Sequence, residues 1–238
     1  MRRSSPERCV KGRLRAAFSR AGVVGVLLAS TGCGSHGATP LGATLQGMVH
    51  DQEAVHAQAA EVPYASLSVR LGSLRGLMVM GAHAGDNTWW PGAEGSSLAL
   101  YGGGLYAASG MEQDLLATRY YPAAGRDADN PRPAPAHFPW RQDTPHEFHV
   151  VRDVRSAAGA MVRHEGTARL ECEPATAHEL PLGERELESC TQQVRWADGS
   201  RTRAELWRDP DTRHLWAFDG QPWPDAPRVA WQVARHWW

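Results

Sequence analysis

From Tyr64 onward the chain alternates with a period of two, a pattern that little besides a half-buried strand satisfies. Ala65, Leu67, Val69 and Leu71 alternate with Tyr64, Ser66, Ser68 and Arg70. Leu77–Met80 is apolar at every position, which predicts a central strand covered on both faces, with the turn at Gly72–Gly76. Turn signals then recur at short intervals. Gly102–Gly104 separates Ser97–Tyr101 from Leu105–Ala108 in the manner of a hairpin. Asp198-Gly199 separates Thr191–Ala197 from Arg201–Arg208, and Asp209–Thr212 leads into Arg213–Asp219. Asp219-Gly220 and three nearby prolines precede a last alternating run, Arg228–His236. The fold class that follows is mainly β, an antiparallel meander forming a barrel-like or sandwich domain, with no βαβ alternation.

Ahead of the strands, Leu41, Leu45, Met48, Val49 and Val55 recur at helical spacing. They predict one short amphipathic N-terminal helix over about 42–58, closed off by Glu61–Pro63. Residues 122–139 hold five prolines among Ala, Arg, Asp and Asn. This stretch predicts a long surface loop within a single β-rich domain of residues 61–238.

The first 32 residues carry a different message. Arg2, Arg3, Arg8, Lys11, Arg13, Arg15 and Arg20 are opposed only by Glu7. An apolar run, Ala21–Ser30, follows, too short to span a bilayer as a stable helix. Basic, then apolar, then small residues is the order of a secretory signal peptide. Cys33 comes directly after Thr31-Gly32, as at the acylated cysteine of a bacterial lipobox, although Ser30 stands where that pattern usually has Leu. Cleavage before Cys33 would leave an acylated tether running into the helix over 33–60, anchored by chains that contribute about 0.8 kcal/mol per buried CH₂. Gly34 after the cysteine, rather than Asp, points to the outer membrane. An ordinary cleaved signal followed by an incidental cysteine is the alternative.

Charge and cysteines agree with export. The whole chain of 238 residues has formal net charge −1, without the basic bias of a nucleic-acid binder. Mean hydropathy of −0.45 and a lone apolar run exclude a polytopic membrane protein. Beyond residue 32 there remain 18 basic and 25 acidic residues, so an acidic polysaccharide would need a local arginine cluster to bind. With Cys9 in the leader and Cys33 acylated, Cys172 and Cys190 remain as an even pair in an oxidising compartment. They either form a disulfide or stand as two unrelated thiols; no paired-ligand spacing suggests a metal.

Motifs for catalysis are missing. There is no Gly-x-Ser-x-Gly elbow and no phosphate loop, and nothing implies a cofactor. His146 and His149 are three residues apart in a stretch that reads as a strand, where their rings would face opposite ways rather than converge on one ion. Tryptophan is the unusual residue, at 10 against 4 Phe and 5 Tyr. Most, including Trp216 and Trp231, read as core. Trp89, Trp90 and Trp140 flank loops and are candidate glycan contacts, and Trp237-Trp238 would pack on the sheet or meet the membrane interface.

Set beside these features, Val62–Leu67, the Leu77–Met80 run, the tryptophan at 89 or 90, Leu98–Tyr101 and Gly103–Gly110 followed by Asp114-Leu115 resemble the YjbF family of bacterial lipoproteins. That group includes the group 4 capsule lipoprotein and its exopolysaccharide-operon relatives. The family commonly has a basic residue after the glycine, where this chain has Gly104 or Leu105, so no role for that side chain carries over. The resemblance implies an antiparallel barrel-like fold and a lipoprotein on the periplasmic face of the outer membrane. It also implies involvement in capsule or exopolysaccharide assembly or export, beside an outer-membrane β-barrel secretion protein; joined to the missing catalytic motifs, it gives the reading of a non-enzymatic accessory factor. The rival readings are a periplasmic glycan hydrolase using carboxylates such as Asp86 and Glu94, and a carbohydrate-binding module acting through Trp89 or Trp90.

Overall fold

A computed structural model describes residues 52–123 and 137–238; the expected leader, Cys33 and the middle of the Pro-rich stretch lie outside the described residues. The first described element is helix α1 (Gln52–Glu61), rich in alanine. It runs one turn beyond the expected end at 58, up to Val62-Pro63, and residues 42–51 of the expected helix lie outside the described residues. Val55, Ala59 and Val62 form a small second core with Leu77, Val79 and Ala234.

Helix α1 sits over the outer face of β1 (Ser66–Leu71) and β2 (Leu74–Val79). It explains two departures from the simple alternation. Ser66, on the nominally solvated face of β1, is fully buried. β2 is covered on both faces as expected, yet it is not central: it ends the strand order and owes its outer cover to α1.

The other strands are β3 (Ala82–Ala84), β4 (Asn87–Pro91), β5 (Ser97–Tyr101), β6 (Gly104–Ser109) and β7 (Asp114–Pro122). After the Pro-rich stretch come β8 (His146–Arg155), β9 (Met161–Cys172), β10 (Thr176–Leu180) and β11 (Gly183–Trp196). β12 (Arg201–Arg208), β13 (Leu215–Gly220) and β14 (Val229–Arg235) finish the chain. All are antiparallel in one 14-stranded sheet of order β2-β1-β14-β13-β12-β11-β9-β8-β7-β6-β5-β4-β3, with β10 paired only to β11. The fold is thus mainly β with one described helix, and the four C-terminal strands are the expected meander.

The two ends of this order, β2 and β3, are consecutive in sequence and separated only by Met80 and Gly81. The Gly81 amide donates to the Trp89 carbonyl at 2.8 Å. No ladder closes the gap, so the sheet stays open there while one stretch of chain straddles it. Inner side chains from both halves, Leu67, Met78, Trp90, Leu98, Val150, Val194, Phe218 and Trp231 among them, share a single core. Each fully buried side chain of this size contributes about 1.5–3 kcal/mol.

The Pro-rich stretch corrects its expectation at its far end. Phe138, Pro139 and Trp140 are buried rather than on a surface loop. They rest on the β5–β6 turn, where Gly102 and Gly103 have φ of 57° and 87°. A Cβ at Gly102 would collide with the Phe138 ring, and one at Gly104 with the Trp140 indole. The glycine triplet is both a turn and a seat for two aromatic rings.

Candidate functional site

The tryptophans separate by strand parity. On β4, Trp89 points outward at 42% exposure while Trp90 points into the core at 0%. Trp90 donates to the Thr88 hydroxyl at 2.9 Å and packs edge-on against Trp237 at 5.0 Å. Trp140 is also buried, its indole N–H donating to the Gly102 carbonyl at 2.9 Å. Trp90 and Trp140 therefore cannot stack on a sugar, because the core covers both rings; Trp89 alone of the three offers an open face. Adjacent residues on a strand face opposite sides, so the Trp89-Trp90 pair itself signalled that one of them is core. Trp216 and Trp231 are buried as expected, and Trp237 packs against the core.

The two carboxylates near that pair, Asp86 and Glu94, flank β4. Asp86 lies 3.8 Å from Arg141 in an ion pair, and Glu94 sits in a 3-10 turn at φ 54°.

Cys172 and Cys190 are joined by a disulfide between directly opposed residues of β9 and β11. With Glu188 they make the one cluster of potential metal ligands among the described residues. The sulfurs are spent in the bond, and Glu188 accepts from Arg208 Nε at 2.6 Å and Arg213 Nη1 at 2.8 Å. The staple closes a short loop, so replacing both cysteines (Cys172→Ser, Cys190→Ala) is expected to cost about 3 kcal/mol in the chain-entropy model. Urea unfolding of oxidised, reduced and doubly substituted protein measures this. Equal midpoints in all three would show that the bond adds nothing to stability.

Histidines 146 and 149 do fall on a strand and do not converge. His146 Nε2 meets His137 Nε2 at 3.1 Å, and His149 Nδ1 lies 3.4 Å from the Thr167 hydroxyl. Burial holds the His137 ring below the ordinary histidine range, and the neighbouring charge of His146 lowers it further; burial does the same to His146. Burial is also the leading cause of the lowered values of His164, His178 and His214. The unfolded chain then binds more protons than the folded one below the free histidine value of about 6.5. This stabilisation is complete above that value and is lost as pH falls below it. The thermal midpoint is expected to drop between about pH 7.5 and pH 5.5, with part of the drop removed in His146→Gln. A midpoint flat across this range would contradict it.

On the outer face of β7, β8, β9, β11 and β12 the pairing register builds two cross-strand rows. One reads Tyr121, His149, Thr167, Arg195 and Arg201. The other reads Glu147, Arg169, Gln193 and Arg203. With strands 4.7–4.9 Å apart, the first row spans about 19 Å. An open depression of about 370 Å³ runs along the rows from Glu147 to Arg203. Arg169 donates to Glu171 at 2.7 Å and to Glu147 at 3.3 Å, while Arg203 donates to Glu205 at 2.8 Å. Arg195 and Arg201 stand directly opposite each other and have no ion pair among the described residues. Like charges in that relation repel. The register follows from the Asp198-Gly199 turn between them, so the cluster was readable in the sequence once the hairpin was placed.

The structure is thus a disulfide-stapled, antiparallel, mainly β domain with a tryptophan-filled interior and an arginine-bearing outer face. The chain belongs to the YjbF family, described as group 4 capsule polysaccharide lipoprotein gfcB, YjbF, whose model matches residues 25–217. Among solved structures, the hypothetical lipoprotein YmcC from Escherichia coli (K12) is similar, with a TM-score of 0.61 and 11% identity. The alignment covers 77% of this chain and 89% of that one, a likeness of fold. Comparison with curated proteins gives no match.

Proposed function

We propose that this chain is an outer-membrane lipoprotein acting as a non-enzymatic accessory factor in capsule or exopolysaccharide assembly or export. The observation that carries the reading is membership, across residues 25–217, of a family of capsule polysaccharide lipoproteins. The sequence around Cys33 supplies the anchor: a basic and apolar leader, small residues, then the cysteine. Acylation there would fix the β domain at the periplasmic face of the outer membrane, within reach of a β-barrel secretion protein and of the polysaccharide. No catalytic role is assigned to any residue, and the domain works by contact.

Cell fractionation tests the anchor and deletion of the gene tests the role. The mature protein is expected to begin at an acylated Cys33, and Cys33→Ala is expected to leave the membrane fraction and to lower surface polysaccharide as the deletion does. A Cys33→Ala protein that stays membrane-bound and fully functional would remove the anchoring role. Shortening of the host polysaccharide by the purified protein would replace the accessory reading with an enzymatic one.

A further inference from the structure

We infer that the cross-strand arginine row on the outer face of β7–β12 is a binding track for a carboxylate-bearing, anionic polysaccharide. This deepens the proposed function and rests on it for the ligand being a glycan.

The argument begins with a conflict of charge. Beyond residue 32 the chain carries more acidic than basic residues, so bulk attraction brings no polyanion to it. Yet Arg195 and Arg201 are held side by side by strand register, with no carboxylate paired to either among the described residues. The rest of the face shows the opposite habit: Arg169 and Arg203 are each paired with glutamate. Two unneutralised guanidinium groups next to each other make a local positive centre that a carboxylate relieves, with paired N–H donors matched to its two oxygens. Leading away from that centre, Thr167, His149 and Tyr121 continue the same row with hydroxyl, imidazole and phenol groups suited to sugar hydroxyls. Gln193 supplies amide groups alongside. The depression is open rather than closed and is lined by both arginines and Thr167, so a chain can lie across it without threading. Polar groups spaced regularly along one line, with charge at one end, favour an extended chain with repeating carboxylates over a single small anion.

The test uses the acylated full chain in phosphatidylcholine vesicles, with polygalacturonate as the anionic probe and dextran as the neutral one. The wild type is expected to bind polygalacturonate in a salt-sensitive way and to ignore dextran. The double variant Arg195→Gln, Arg201→Gln is expected to bind at least about ten-fold more weakly, the scale of one charge-assisted contact. Its thermal midpoint is expected to be unchanged or raised, since a repulsion has gone. Equal binding by wild type and double variant, or equal binding of dextran, overturns the inference. These failures leave the accessory role standing if gene deletion still lowers surface polysaccharide; an unchanged surface after deletion removes that role instead.

Discussion

Trp140→Ala is expected to cost about 4 kcal/mol, among the largest losses any single truncation in this protein should produce. The indole is 2% exposed and lies against the bare backbone of Gly104. It meets Tyr120 edge-on at 5.3 Å and Phe138 at 5.7 Å, and its N–H donates to Gly102. Removing it leaves a cavity that neither the glycine turn nor the two rings can fill, and it orphans the Gly102 carbonyl. Urea denaturation gives the number directly. A loss below about 1.5 kcal/mol would mean that the segment after the Pro-rich stretch collapses inward and that Trp140 is not a keystone of packing.

Glu188→Ala should destabilise by about 3 kcal/mol for a different reason. Arg208 is 1% exposed in its side chain and depends on Glu188 for its only anionic partner among the described residues, at 2.6 Å. Its Nη1 also donates to the carbonyls of Trp140 at 2.6 Å and Gln142 at 2.9 Å. Deleting the carboxylate strands a buried guanidinium, whereas the isosteric pair Glu188→Gln, Arg208→Met should recover much of the loss, because the charge leaves with its partner. Arg208 links this ion pair to the Trp140 turn, so Trp140→Ala and Glu188→Ala are expected to be less than additive. Strict additivity would show that the two sites do not communicate through Arg208.

Sequence periodicity made the outline of this fold legible, and its gaps have physical causes. The hairpins at Gly102–Gly104 and Asp198-Gly199 were readable because the turn residues and the alternation on either side agree. Alternation puts Ser66 on the solvated face, whereas the cover over that face comes from α1, a contact that no local pattern announces. Burial on both faces of the Leu77–Met80 run usually means a sheet interior; here a helix supplies one cover. Proline content masked Phe138 and Trp140: composition averages over a segment, whereas packing acts on individual rings. Counting cysteines leaves the Cys172–Cys190 disulfide as one of two readings, and the opposed register of β9 and β11 decides it. The Arg195–Arg201 juxtaposition depended on register, which alternation fixes only after the turn between the strands has been assigned.

The pairing of β1 with β14 has a bearing on how the molecule is made. Ser66 meets Arg235 and Leu71 meets Val229 across well over a hundred intervening residues. A growing chain offers its earliest described strand no neighbour on that side until its last segment has arrived. Closure of so distant a seam is slow, and it comes late by necessity. The incomplete polypeptide should therefore stay pliable until its last segment is available, and maturation should be a single late event.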